Sequence, residues 1–206
     1  MIRDISFYNP TKTYNNTEHI KFLYELLPYV DKKICFYGDE SGYFFSPFRR
    51  KYEPNICFTN RLFAVLFTLI KEDINRLRSL FSGYSKAFDI NLIPHFENTV
   101  YVSNNPYEIA YYTFVLSLYS KNIDDKFSNY ITDDGSLLGE AISNMNRFSI
   151  SNNEVLWKTT PENNFIVSYE KEFEGEGILI SKKKHSMNHL KQIDKLNYYY
   201  KEGGNG

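Results

Sequence analysis

Alanine is almost missing from this chain. Only Ala64, Ala87, Ala110 and Ala141 occur in 206 residues. Alanine is the best helix former, so any helices must rest on larger apolar side chains and on tertiary packing. Cysteine is scarce too. Cys35 and Cys57 each sit in an apolar, strand-like context, which reads as two buried free thiols. A disulfide between them is the alternative, and with no C-x-x-C nothing points to a metal pair. An excess of one charge is absent. Lys and Arg number 24 against 25 Asp and Glu, for a net charge of −1. That excludes a globally basic nucleic-acid binder and a strongly acidic DNA mimic. No long hydrophobic run occurs. The longest apolar-rich stretch, 62–70, falls far short of the roughly 20 residues a membrane span needs. Residues 1–5 lack the charged and apolar regions of a secretory leader, so a cytoplasmic location and no membrane partner are expected. G-x-S-x-G, H-E-x-x-H and the Gly-rich phosphate loops are missing as well.

What is abundant is aromatic: 18 Tyr, 17 Phe and 1 Trp, or 17% of the chain. Asn is also frequent, and Lys outnumbers Arg by 17 to 7. An AT-rich coding sequence favours Asn, Lys, Tyr, Phe and Ile codons and disfavours Ala. It points to a low-GC bacterium, its phage or a protist as the source. Coding bias therefore explains part of the aromatic excess, and function is to be sought where aromatics gather locally.

Periodicity predicts the elements. Residues 1–16 read as an irregular arm. Asn15, Asn16 and Thr17 offer caps to a helix whose apolar face is Ile20, Leu23, Tyr24 and Leu27. Strands are expected over 33–37, 43–45 and 55–58. The clearest helix spans 60–82, where Phe63, Leu66, Phe67, Ile70, Ile74, Leu77 and Phe81 recur at steps of three and four. Two short strands are expected over 89–93 and 98–102. Asn105, Pro106 and Glu108 form a good start for an all-round apolar core helix to Tyr119. A shorter helix follows over 136–145, then β structure over 154–181 with a hairpin turn at 175–177. Met187, Leu190, Ile193 and Leu196 mark an amphipathic C-terminal helix before a flexible tail at 203–206. The expected fold class is α+β, with mixed α/β as the variant. A small mixed sheet packs on a long central helix, with a C-terminal β-hairpin and helix. One compact domain over 1–206 is expected, with room for a small subdomain from about 130.

The sharpest chemical feature is Gly38-Asp39-Glu40-Ser41-Gly42 after a predicted strand. Two carboxylates at a strand end can hold Mg²⁺, and in two-metal nucleases such a group activates water. The string Asp39-Glu40-Ser41-Gly42 resembles the opening signature of a family of RNase H-like proteins, over residues 33–42 only. The resemblance implies Asp39 as a metal ligand. It also implies further acidic residues on later elements. Glu72 and Asp73 are available, whereas Ser103-Asn104-Asn105 stands where a strand-end carboxylate is wanted. The competing reading is a surface turn built from Gly, Asp and Ser. His185 and His189 share a face if helical, but no third metal ligand stands nearby apart from Asp194, and a solvated face beside a Lys-rich segment is the favoured reading.

Two stretches could meet nucleic acid. Arg49, Arg50 and Lys51 lie between Phe48 and Tyr52, and Lys182, Lys183 and Lys184 close the predicted hairpin in the manner of a winged helix. Pairing across the 175–177 turn sets Glu170 opposite Lys182, which favours a cross-strand ion pair instead. Aromatic and Arg residues also dominate protein-binding hot spots. The absent cofactor motifs and balanced charge favour a non-enzymatic binding module, expected to be phage- or mobile-element-encoded. Its expected partner is a host or cellular protein complex of the transcription or defence machinery. The anchors expected are Tyr43, Phe44, Phe45, Phe48, Arg49, Arg50 and Tyr52, with Tyr198, Tyr199 and Tyr200. The alternatives are a Mg²⁺-dependent nuclease using Asp39 and Glu40, and a winged-helix DNA binder.

Overall fold

The computed structural model describes residues 17–122, 127–131 and 136–203. The expected arm over 1–16 and the tail beyond Gly203 lie outside the described residues. The chain is α+β. Helix α1 (Glu18–Leu26) leads to β1 (Ile34–Tyr37) and β2 (Asn55–Phe58), then to the long α2 (Arg61–Tyr84), α3 (Ile93–Val100) and α4 (Pro106–Tyr119). A short pair, β3 (Ser120–Asn122) and β4 (Ser128–Tyr130), precedes α5 (Ser136–Asn144). Five more strands follow: β5 (Val155–Trp157), β6 (Phe165–Tyr169), β7 (Gly177–Ser181), β8 (Asn188–Ile193) and β9 (Leu196–Lys201).

Seven strands form one mixed sheet in the order β5-β2-β1-β6-β7-β9-β8. The first five run parallel, and β9 and β8 close the edge antiparallel. Strand alternation divides the side chains between two faces. Ile34, Phe36, Ile56, Phe58, Val167, Ile178, Ile180 and Tyr198 join the main core, where α2 and α4 pack. Cys35, Cys57, Ile166, Leu179 and Tyr199 form a smaller cluster on the opposite face.

The helices start where their caps dictate. Thr17 accepts from the Ile20 N–H, Asn60 from Leu62 and Asn105 from Tyr107, each satisfying an orphan donor of the first turn. Asp73 breaks the helical backbone inside α2 with φ −158° and ψ 86°. Its carboxylate accepts the Arg76 N–H at 3.0 Å and so recaps the second half. Asp73 and Glu72 are exposed on this helix. Asp73 therefore has a local structural task.

Five predicted elements take a different form. Residues 43–45 lie in a run of turns, not a strand. Residues 90–100 are helical because Asp89 caps a single 3-10 turn and Pro94 occupies the first turn of α3, where a missing N–H costs nothing. Strands β6 and β7 are parallel, so the 175–177 turn ends a crossover and is not a hairpin. The C-terminal helix is instead the β8–β9 hairpin, turned at Asp194 with φ +52° and Lys195. Asp tolerates that left-handed backbone, and Leu196, Tyr198 and Tyr200 show the two-residue period of a strand.

Candidate functional site

The connections decide where a site can form. From β1 the chain moves outward to β2 and then β5, and afterwards returns to the other flank of β1 as β6 and continues to β7. The β1–β2 connection sends Phe44, Phe45 and Phe48 into the main core, whereas the β6–β7 connection sends Phe173 into the cluster on the opposite face. Strand order thus reverses between β1 and β6, with crossovers on opposite sides. In an open parallel sheet this leaves a crevice beyond the carboxyl ends of the two strands, where ligands bind by preference.

A cavity of about 290 Å³ lies there. Gly38 and Glu40 contribute from the end of β1, Tyr169, Glu170 and Lys171 from the end of β6, and Lys182 and Lys183 from the end of β7. Gly38 adopts φ +74°, and a Cβ there would stand 2.9 Å from the Tyr169 carbonyl and 2.8 Å from Lys171 Cγ. Only glycine allows the two strand ends to approach so closely.

The two carboxylates after β1 have separate partners. Asp39 turns back into its own connection. Its Oδ2 accepts the Phe44 and Phe45 N–H groups at 2.7 and 2.9 Å, and its Oδ1 accepts the Ser41 hydroxyl at 3.2 Å. Burial raises its carboxyl to about 6 against these hydrogen bonds. Glu40 reaches toward α2. Its Oε1 accepts the Thr59 N–H at 2.7 Å, the Thr59 hydroxyl at 2.6 Å and the Asn60 N–H at 3.0 Å. Its Oε2 is buried and meets no partner among the described residues. The residue is 4% exposed, and burial raises its carboxyl to about 7. An orphaned carboxylate oxygen inside a protein is costly, and such perturbed groups gather at functional sites.

The lysines are held by a second carboxylate. Glu170, at φ +56°, accepts the Lys182 N–H at 2.7 Å and the Ser181 hydroxyl at 2.9 Å. The Glu170–Lys182 proximity expected from the sequence is therefore real, but it runs through backbone at parallel strand ends. The Ser168 hydroxyl donates to the Lys171 carbonyl and draws that turn against β6. Lys182 Nζ lies 5.7 Å from the centre of the Tyr169 ring. Lys182, Lys183 and Lys184 are exposed, and the first two rim the cavity.

The expected aromatic anchors are mostly core residues. Tyr43, Phe44, Phe45, Phe48 and Arg49 are buried, as are Tyr198 and Tyr199. Tyr52 and Tyr200 are half-buried, and Arg50 and Lys51 are exposed. Phe45 packs against Phe67 and Phe148, and Phe48 against Tyr24 and Phe36. Arg49 donates to the Ser46 and Arg147 carbonyls and lies 4.9 Å from the Phe148 ring centre. Burial lowers its guanidinium to about 10. The buried members of this set are core side chains, because the β1–β2 connection packs Phe44, Phe45 and Phe48 into the main core. His185 and His189 are not paired along a helix. They flank the Tyr199 ring at 5.4 and 5.3 Å.

A larger concavity of about 820 Å³ lies on the second sheet face beside Tyr37, Phe173, Leu179 and Met187. None of its polar side chains is a buried group lacking a partner. The switch-point cavity is thus the chemically pointed one. The sequence pointed to Asp39 and Glu40 but not to their separation, offered Glu170 only as an ion-pair partner of Lys182, and gave no sign of Lys171. The available signal was position, since each follows directly on an apolar strand. No helix among the described residues is long and apolar enough to cross a membrane. No protein-family model matches the chain, and no curated protein matches it.

Proposed function

We propose that the protein binds a small anionic molecule at the carboxyl ends of β1, β6 and β7. The observation that carries this reading is the gathering of Lys171, Lys182 and Lys183 on one strand-end cavity whose lining also holds Gly38, Glu40, Tyr169 and Glu170. The rim of three lysines attracts an anionic group. Glu170 and Ser168 act as supports that fix the rim. This reading displaces the protein-binding module, whose expected anchors lie in the core apart from Arg50 and the half-buried Tyr52 and Tyr200. A Mg²⁺ nuclease draws less support. Asp39 does not line the cavity, and its oxygens serve the Phe44 and Phe45 N–H groups and the Ser41 hydroxyl.

Isothermal titration with inorganic phosphate tests the proposal. Saturable binding is expected, weakened roughly tenfold by Lys183→Ala through loss of one charge-assisted contact. Binding that is absent at millimolar phosphate, or unaffected by Lys183→Ala together with Lys182→Ala, overturns it.

A further inference from the structure

We infer that the concavity on the second face of the sheet is a separate binding site, for a small organic cation that carries an ammonium group on an apolar body. The inference does not depend on anion binding at the carboxyl ends of β1, β6 and β7.

A parallel sheet is normally covered on both faces, because each face is a layer of apolar side chains. Here α2 and α4 cover one face only. The cluster on the other face draws Cys35, Cys57, Ile166, Leu179 and Tyr199 from the strands and Phe173 from the β6–β7 connection. No described helix contributes to it. Segments that follow β5, β6 and β7 instead line a concavity of about 820 Å³ on this face. That volume falls within the range of small-molecule pockets, roughly 300 to 1,000 Å³. Tyr37, Phe173, Leu179 and Met187 give it an apolar floor, and Tyr37 and Met187 are only half-buried, so apolar surface is left for a ligand.

The rim sets the sign of that ligand. Glu162, Glu172 and Glu174 line the concavity and are exposed, and none of them makes a hydrogen bond or ion pair among the described residues. Lys158, Lys201 and His185 line it too, and each is engaged elsewhere. Lys201 donates to the Phe173 carbonyl and lies 5.2 Å from the centre of the Phe173 ring. Lys158 Nζ lies 5.1 Å from the centre of the Trp157 ring. His185 Nε2 is hydrogen-bonded to the Ser181 hydroxyl at 3.1 Å, and its ring meets Tyr199 edge-on. Neither lysine forms an ion pair with a carboxylate among the described residues. Three carboxylates thus stand against two ammonium groups, and the excess is acidic. A ligand ammonium is attracted by that excess, whereas a carboxylate or phosphate is repelled. Exposed charges contribute little alone, so the apolar floor must supply the rest of the affinity.

Isothermal titration of the full chain at pH 8 with 2-phenylethylamine, its neutral counterpart 2-phenylethanol, and ethylamine tests the inference. Phenylethylamine is expected to saturate the protein and to bind about fivefold more tightly than phenylethanol, the effect of partly exposed charge contacts. Ethylamine, which has the charge without the apolar body, is expected not to bind at millimolar concentration. Glu172→Gln with Glu174→Gln should abolish the preference for amine over alcohol and leave phenylethanol affinity unchanged. Both positions are exposed, so this variant keeps the fold. Met187→Ser should weaken both aromatic probes about fourfold, as loss of a methylene-sized apolar contact does. Backbone amide shifts on adding phenylethylamine should gather at Tyr37, Leu179 and Met187. Absence of saturation by phenylethylamine at millimolar concentration, equal affinity for amine and alcohol, ethylamine binding as tightly as phenylethylamine, a preference that survives the double variant, or shifts confined to other parts of the chain overturns the inference.

Discussion

Replacing Glu40 by Gln should destabilise the protein at acid pH and offset that cost as pH rises through about 7. Burial raises the Glu40 carboxyl from its ordinary 4.5 to about 7. The folded chain therefore holds this proton more tightly than the unfolded chain does. The resulting stability is present in full below about pH 4.5 and is lost as pH rises through about 7. At about 1.4 kcal/mol per pH unit, ionising this group in the folded protein costs about 3 kcal/mol above pH 8. Gln keeps a carbonyl for the Thr59 and Asn60 donors and carries no charge to desolvate. Its amide nitrogen becomes a buried donor without a partner, at a cost on the order of 1–3 kcal/mol that does not vary with pH. The readout is thus the difference in unfolding free energy between variant and wild type, taken from urea titrations between pH 4 and pH 8.5 and followed by circular dichroism. That difference should shift by about 3 kcal/mol in favour of the variant as pH rises. Asp39 is raised in the same direction, to about 6, but it is present in both proteins and cancels. A difference that stays constant with pH, or shifts the other way, would refute the claim that Glu40 is ionised at a desolvation cost.

Four other outcomes follow from the packing. Phe48→Ala with Arg49→Ala should unfold the chain, because Phe48 alone is fully buried and its truncation costs about 3–5 kcal/mol; a folded double variant by circular dichroism would contradict the core assignment. Gly177→Ala puts a Cβ 2.0 Å from the Ile166 carbonyl oxygen across the β6–β7 pair, and should lower the urea midpoint by an amount equivalent to about 4 kcal/mol or prevent soluble expression. Gly38→Ala should cost about 1–3 kcal/mol for its positive φ and also weaken phosphate binding, since its Cβ meets Lys171 and the Tyr169 carbonyl; full affinity would argue against the site. Burial pushes the Cys57 thiol up to about 12 and raises Cys35 as well, so both should resist a thiol reagent in the native state and react only on denaturation.

Helices α2 and α4 were legible because their apolar residues repeat at the helical period and Asn60 and Asn105 cap them in place. The β8–β9 hairpin was not. Met187, Leu190, Ile193 and Leu196 mimic a helical stripe at steps of three, and local spacing cannot show that Tyr198 pairs with Ile180 across the sheet. Residues 43–52 show the same limit. Aromatic-Arg clusters serve interfaces and cores alike, and the β1–β2 crossover that buries this one is a tertiary fact. At the site, Asp39-Glu40 stood out from the turn chemistry after β1. Lys171, Lys182 and Lys183 lie some 130 residues or more further along, and only the parallel pairing of β1 with β6 and β6 with β7 brings their turns alongside. Non-local pairing of that kind leaves no periodic trace in the chain. A strand-end position next to an apolar run is its only local mark.

The central claim is that the carboxyl ends of β1, β6 and β7 hold an anion. The most direct measurement is a titration of ¹⁵N-labelled protein with inorganic phosphate, read from backbone amide shifts. The account predicts saturable shifts concentrated at Gly38, Glu40, Glu170, Lys171, Lys182 and Lys183. Unmoved amides at these positions, or shifts confined to the concavity beside Tyr37 and Phe173, would contradict it.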